Sequence, residues 1–343
     1  MAEHSGIEWT DATFNPWWGC QKVSPACDHC YAERDAARFA PGRVLWGVGA
    51  ERRTFGDAHW QQPLKWARQS FVECMACRWR GVAPKPTTGK AAGFDRDPGP
   101  MRLCPACSEP LLKEARRRVF CASMSDWLDL DAPLDEFVRL LDTIRRTPEL
   151  DWLLLSKRIG NWRKRMEESF GQITNPELAT WVSRWLNGFP PSNVWLGATV
   201  IDQTEADRDV PKLLATPARV RFLSIEPMLG PVDLGRFIGA CERPEDDPQP
   251  IEHCERCGCV WNRDEPHECP PGFGPRPDWV ICGGESGPHA RPMHPDWARS
   301  LAEQCRAAGV AFFMKQMGGT RDKRGALEDL PADLRVREFP HAA

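Results

Sequence analysis

The sequence predicts an α/β fold, a partial or open (β/α) TIM-like barrel of about six to seven parallel strands that carries two small metal-binding insertions. Three observations predict it. Short runs that are apolar throughout recur along the chain, and strands apolar on both faces belong to parallel sheets covered by helices. Helical stretches separate those runs. Polar residues collect just past the runs, at the carboxyl ends where barrels and open α/β sheets bind ligands.

The first strand is expected at 14–17. After it, Cys20, Cys27 and Cys30 fall within eleven residues, followed by Tyr31 and a helical run that Pro41-Gly42 stops. Three thiolates are one fewer than a closed zinc site or a cubic iron–sulfur cluster takes, which leaves one corner for water, a distant residue or a substrate. Residues 71–117 then interrupt the alternation with Cys74-Met75-Ala76-Cys77 and Cys104-Pro105-Ala106-Cys107. Two such knuckles complete a four-thiolate zinc ribbon, closed and therefore structural. It is expected as a separate lobe whose loss spares the barrel.

From Arg118 onward the strands are expected at 119–122, 152–155, 194–198, 220–225, 279–282 and 311–314. Helices are expected at 134–146, 162–170, 176–186, 204–215 and 296–308. The barrel thus comprises 1–70, 118–240 and 278–343. Polar residues follow its strands: Ser123, Ser125 and Asp126; Ser156, Lys157 and Arg158; Thr199; Glu226; Glu285 and Ser286; Lys315 and Gln316. Taken singly, Ser125 and Thr199 read as caps or solvent contacts; the set reads as one shared site. On that reading Ser123, Asp126, Ser156, Gly283, Gly284 and Ser286 are candidates for holding a cofactor, and Glu226, Glu285 and Lys157 for catalysis. Gly283 and Gly284 would let the backbone approach a ligand closely, with Glu285 as acid, base or acceptor.

The second insertion, 241–277, is rich in proline and acid and holds His253-Cys254-Glu255-Arg256-Cys257-Gly258-Cys259 and His267-Glu268-Cys269. Cys254, Cys257, His267 and Cys269 form a second candidate zinc set, with Cys259 able to replace His267. An auxiliary iron–sulfur cluster and no metal at all are the alternatives.

The chain has 343 residues, enough for a large core, and a net charge of −3. Affinity for nucleic acid would therefore come from local patches, and not from the overall field. Lys113, Arg116, Arg117 and Arg118, with Arg102 before them, are one candidate patch; a solvated loop is the competing reading. Fifteen cysteines without an apolar signal segment point to a reducing, cytoplasmic setting in which thiols bind metal. No run approaches transmembrane length, so no membrane partner is expected.

The cysteine loop resembles that of the radical S-adenosylmethionine enzymes, whose usual spacing is C-x3-C-x2-C. Here the second gap matches and the first is six residues. Cys30-Tyr31-Ala32-Glu33 is similar to the cysteine–aromatic ending of the spore photoproduct lyase branch. A closer likeness spans nearly the whole chain: Phe14-Asn15-Pro16-Trp17-Trp18-Gly19-Cys20, Phe120-Cys121-Ala122-Ser123-Met124-Ser125-Asp126, Leu153-Leu154-Leu155-Ser156-Lys157-Arg158, Arg221-Phe222-Leu223-Ser224-Ile225-Glu226-Pro227 and Gly283-Gly284-Glu285-Ser286-Gly287. These resemble a phage- and bacterium-encoded three-cysteine-motif family, radical-SAM-like and without an assigned reaction.

The resemblance implies a [4Fe-4S] cluster on Cys20, Cys27 and Cys30, whose unique iron is left to S-adenosylmethionine, and an electron donor such as a flavodoxin or ferredoxin. It also implies that Tyr31 packs on the adenine; a core aromatic is the competing reading. Gly283-Gly284-Glu285 resembles the triplet that holds the cofactor's amino group in those enzymes, but it follows a late strand instead of the second, so that role is not carried over.

Two function classes follow. One is a radical enzyme acting on a nucleic acid or modified nucleotide, for repair or modification. The other is a non-catalytic binding protein in which the three cysteines, with His29 or His4, hold zinc and the insertions contact nucleic acid or a partner protein. A zinc hydrolase using Glu226 or Glu285 as base would need a histidine-rich open site, and the eight histidines show no such spacing.

Overall fold

The computed structural model describes residues 3–86, 102–238, 251–253, 260–262 and 276–340. Its elements run β1 (Ala12–Phe14), α1 (Tyr31–Phe39), α2 (Asp57–Ala67), β2 (Phe71–Cys74), β3 (Arg80–Val82), β4 (Leu112–Glu114), β5 (Arg117–Cys121), α3 (Leu134–Arg145), β6 (Leu150–Ser156), α4 (Trp162–Phe170), α5 (Pro176–Leu186) and β7 (Val194–Thr199). They continue through α6 (Gln203–Leu214), β8 (Val220–Ile225), α7 (Gly235–Ile238), β9 (Ile251–His253), β10 (Val260–Asn262), β11 (Trp279–Gly283), α8 (Pro295–Ala308) and β12 (Ala311–Gln316).

Seven of these strands form one parallel sheet in the order β1-β5-β6-β7-β8-β11-β12. Each strand joins on the same side as the one before, and right-handed crossovers then send the connecting helices to a single face. The sheet curls into a half-barrel with those helices outside, which is the fold class expected from the sequence. Strand alternation sorts the side chains. Val119, Trp152, Leu154, Leu196, Leu223 and Val280 join the helix-side core with Phe137, Leu140, Trp185 and Leu301. The residues between them, Phe120, Leu153, Trp195, Phe222, Ile281 and Phe313, cluster on the concave face.

The concave face is plugged with aromatics. Trp9, from the segment before β1, has its ring centroid 4.7 Å from Phe120, 6.3 Å from Phe222 and 6.2 Å from Trp279. Gly197 marks the tightest point, since a Cβ there would fall 2.3 Å from the Phe222 ring. The outer edge of β12 is partly covered by the chain's tail. Met314 N–H donates to Val336 O at 2.8 Å, Glu338 N–H donates to Phe312 O at 2.9 Å, and Phe313 and Arg337 form an antiparallel bridge.

β5 to β8, β11 and β12 overlap the expected strands, whereas the first strand ends at Phe14 and not at 17. Asn15 turns the chain out of the sheet: its Oδ1 accepts from Met124 N–H at 2.7 Å and its Nδ2 donates to Ser123 Oγ at 3.0 Å. Pro16 has no N–H for a ladder. The sequence pattern does not announce helix α2, because its interior Pro63 interrupts the helical run. Among the described residues no helix is long and apolar enough to cross a membrane.

The first insertion forms an antiparallel sheet in the order β3-β2-β4 at the amino-terminal rim. Arg80 grips Asp11 through Nε at 3.0 Å and Nη2 at 2.9 Å, and Asp11 in turn accepts Arg118 N–H at 2.8 Å. Arg117 is buried between the Trp66 and Phe71 rings and donates to Gln69 at 2.9 Å. The Arg118 guanidinium lies 3.7 Å from the Phe339 ring centroid, and burial pushes its pKa down to about 10. Of the candidate basic patch, Lys113, Arg116 and Arg102 remain exposed while Arg117 and Arg118 are drawn inward. These contacts hold the insertion against the amino-terminal rim of the barrel. β9 and β10 pair antiparallel; Cys254, Cys257, Cys259, His267 and Cys269 lie outside the described residues.

Gly197→Ala should destabilise the protein by about 1–3 kcal/mol, because the buried Phe222 ring must move. Combining it with Phe222→Leu should recover part of that loss. Urea unfolding of the two single variants and the double variant checks this; strictly additive losses would mean the ring contact is not the cause.

Candidate functional site

A cavity of about 360 Å³ opens at the carboxyl rim of the half-barrel. Cys20, Cys27, Cys30 and Tyr31 line it from the segment after β1, Ser123 and Asp126 from beyond β5, and Ser156 and Lys157 from β6 and just past it. Glu226, Gly284, Glu285 and Ser286 complete the residues expected from sequence, while Gly283 lies outside the lining.

The cysteine loop is held from below by Gly19. Its φ of +113° and the Leu45 carbonyl oxygen 2.5 Å from any added Cβ admit only glycine there. Gly19 N–H donates to Met124 O at 3.1 Å and Cys20 N–H to Leu45 O at 3.2 Å. The long first gap folds into a turn that Ser24 starts, its Oγ accepting Ala26 N–H at 3.0 Å. Cys30 occupies the N-cap of α1.

Two clamps fix the loop laterally. At one end Arg158 Nη1 and Nη2 each lie 3.4 Å from Cys20 Sγ, with Nη2 donating to Gln21 O at 2.6 Å and Nη1 to Asp126 Oδ2 at 2.9 Å. Asp126 is 5% exposed and also accepts from Ser156 Oγ at 2.7 Å and Lys157 N–H at 3.0 Å. Burial first, and Asp126 second, push the Cys20 thiol up to about 11 against the pull of Arg158. At the other end Arg291 donates to Glu285 through Nη2 at 2.6 Å and Nε at 2.9 Å, and reaches Pro25 O at 2.9 Å. His29 Nδ1 lies 3.0 Å from Glu285 Oε2.

Burial alone would raise the pKa of Glu285, but its hydrogen bonds from Arg291 and His29 outweigh that and hold it at about 2. Glu285, expected as acid, base or acceptor, is therefore held as a carboxylate near neutral pH and accepts from Arg291. Tyr31 is 44% exposed as a residue, and its hydroxyl donates to Ser123 O at 2.8 Å. Glu226 pairs with Lys315 at 2.8 Å.

At Gly283 and Gly284 the space that a side chain would need is filled by the protein itself. A Cβ on Gly283 would lie 2.7 Å from Glu226 Oε1, and one on Gly284 would lie 2.1 Å from Met317 O. Sequence reasoning placed Arg158 and Lys315 on the rim without choosing them, and it missed Arg291. Arg158 had a usable signal, because it directly follows a strand and the polar pair Ser156-Lys157; Arg291 sits in a loop with no periodicity around it.

At the opposite rim the four sulfurs of Cys74, Cys77, Cys104 and Cys107 lie within 4.8 Å of one another and could bind a metal ion. Among the described residues no other group of three or more histidine, cysteine or acidic ligand atoms is so close, and this includes Cys20, Cys27 and Cys30. The two knuckles repeat one geometry: Arg78 and Ser108 have φ of 63° and 62°, and their N–H groups return to Cys74 O at 2.9 Å and Cys104 O at 2.8 Å. Backbone N–H groups, Cys77 foremost, bring Cys74 down to about 7.

Compared with protein-family models, residues 4–334 match the family described as "Protein of unknown function (DUF5131)". No curated protein and no solved structure matches the chain.

The Glu285 clamp predicts a pH signature. A carboxyl held below its unfolded value contributes stability that is fully present above that value and fades as pH falls towards about 2. Glu285→Gln should therefore cost on the order of 2 kcal/mol at pH 7, and the gap to wild type should narrow below about pH 4.5. Urea titrations across pH 3–7 measure it; a pH-independent gap would mean that the charge does not hold the loop.

Proposed function

The chain belongs to the DUF5131 family, whose description names no reaction, and from its site geometry we propose a radical S-adenosylmethionine-type iron–sulfur enzyme acting on a nucleic acid or modified nucleotide. The observation that carries this reading is that Cys20, Cys27 and Cys30 line one rim cavity together with Ser123, Ser156, Glu226 and Lys315. Three thiols on one clamped loop suit a [4Fe-4S] cluster with one open corner. When bound, such a cluster supplies an electron to the sulfonium of S-adenosylmethionine, the source of hydrogen-abstracting chemistry.

The chain's own residues bind, orient and exclude water. Arg158 and the Arg291–Glu285–His29 clamp hold the two ends of the cysteine loop, and Trp9 and Phe120 close the cavity from beneath. Glu226 and Lys315 present an acceptor and a donor 2.8 Å apart to a substrate's polar groups. A one-electron donor of the flavodoxin or ferredoxin class would serve as partner, in a reducing cytoplasm. At the ribbon, sulfur separations of 3.7 and 3.6 Å approach the edge of about 3.8 Å that tetrahedral zinc with 2.3 Å bonds would set, which supports a structural zinc.

The competing reading is a non-catalytic metal-binding protein with His29 as fourth ligand. One observation favours it: His29 Nδ1 faces the Glu285 carboxylate, the way ligating histidines are commonly oriented.

Anaerobic reconstitution with iron and sulfide, then dithionite and chromatography for 5′-deoxyadenosine, separates the two. Cys30→Ala should lose both the brown chromophore and cofactor cleavage, whereas Cys107→Ala should keep both and lose ribbon metal and stability. Wild-type protein that takes up a full cluster, yet forms no 5′-deoxyadenosine with or without nucleic acid, would favour the binding reading.

A further inference from the structure

Below the cysteine loop the cavity wall carries a polar row that the cluster reading does not use. The strand register sets Leu155 opposite Gly197 and Ser156 opposite Ala198, then Gly197 opposite Phe222 and Thr199 opposite Ser224. Continuing the first pairing by one residue brings Lys157, Thr199 and Ser224 side by side across β6, β7 and β8. They share the concave face, directly above the apolar row of Leu155, Gly197 and Phe222. All three line the cavity.

The charges around this row do not balance. The carboxylates of the cavity wall are each committed: Glu8 to Lys323 at 2.5 Å, Asp126 to Arg158 at 2.9 Å, Glu226 to Lys315 at 2.8 Å and Glu285 to Arg291 at 2.6 Å. Lys22 lies 3.8 Å from Glu33. Among the described residues the Lys157 ammonium alone of the lining cations has neither ion pair nor hydrogen-bond acceptor. Thr199 is 3% exposed, and its hydroxyl has no hydrogen-bond partner. A cation and a buried hydroxyl left unmatched in a half-closed cavity carry a cost that a suitable ligand removes.

We propose that Lys157, Thr199 and Ser224 form an oxyanion subsite that takes the phosphate or carboxylate group of a small organic ligand. The ammonium supplies the charge and up to three donors, and the two hydroxyls rotate to donate alongside it. Leu155 and Phe120, which also line the cavity, give the body of the ligand an apolar bed. Phosphate and carboxylate oxygens accept such charge-assisted hydrogen bonds, and a neutral ligand would leave Lys157 unmatched. The subsite stands on the cavity alone, so it survives if the radical chemistry fails, and the radical chemistry survives if the subsite fails.

The test uses the full chain without added iron, titrated at low chloride with inorganic phosphate and, separately, with acetate. Calorimetry reads binding, and the fluorescence of Trp9 and Trp46, both in the cavity wall, provides a second signal. Saturable binding of at least one anion is expected, weakened about tenfold or more by Lys157→Met, several-fold by Thr199→Val, and largely restored by Lys157→Arg. Phosphate alone binding assigns a phosphate group, acetate alone a carboxylate, and both together the shared oxyanion chemistry. Unchanged circular dichroism and melting temperature in Lys157→Met tie its loss to the site. Binding that Lys157→Met leaves intact, or saturation by neither anion up to about 10 mM, overturns the subsite.

Discussion

Adding seven parallel strands in strict chain order leaves little freedom in how the sheet is covered. Right-handed crossovers that always step the same way put the helices on one face, so the other face must find its own cover. Here the cover is aromatic: Phe120, Trp195, Phe222, Trp279 and Phe313 from the strands, with Trp9 brought in from ahead of the first strand. Because the plug fills the amino-terminal and middle layers, the concave space that remains open lies at the carboxyl rim. The cavity's position is thus a packing consequence, and so is the convergence on it of loops from strands far apart in sequence.

Within that cavity most of the ionic groups position the protein itself. Asp126 spends its acceptors on Ser156, Arg158 and the backbone, and Glu285 on Arg291 and His29. Both networks end on the cysteine loop, which is held at Cys20 and again at Pro25 and His29. A loop clamped at both ends and blocked at Gly19 has few alternative conformations, so its thiols are arranged before any ligand arrives.

Much of this was legible in the sequence because its signals were local. Runs such as Trp152-Leu153-Leu154-Leu155 and Trp279-Val280-Ile281-Cys282 are apolar on both faces and admit little but a buried strand, and the two C-x2-C knuckles fix their own pairing. What escaped was set by distant partners. Asn15 ends β1 through Ser123 and Met124, more than a hundred residues away. Arg117 and Arg118 read as surface charge until Trp66, Phe71 and Phe339 surround them. The glycines of Gly283-Gly284-Glu285 announce tight packing by their type, and the atoms crowding them belong to Glu226 and Met317. Residue type announced a close approach; only the fold could name its partner.

An open half-barrel has two edges, and the tail along β12 changes how such a molecule meets its neighbours. A bare edge of unpaired N–H and C=O groups is a template for strands from another copy. By laying residues 336–338 antiparallel against Phe312 and Met314, the chain occupies part of that template with a segment of its own. Growth of the sheet on this side then requires the tail to detach first. Any self-association through β12 would thereby be governed by a local, reversible opening of this segment, more than by how often two molecules collide.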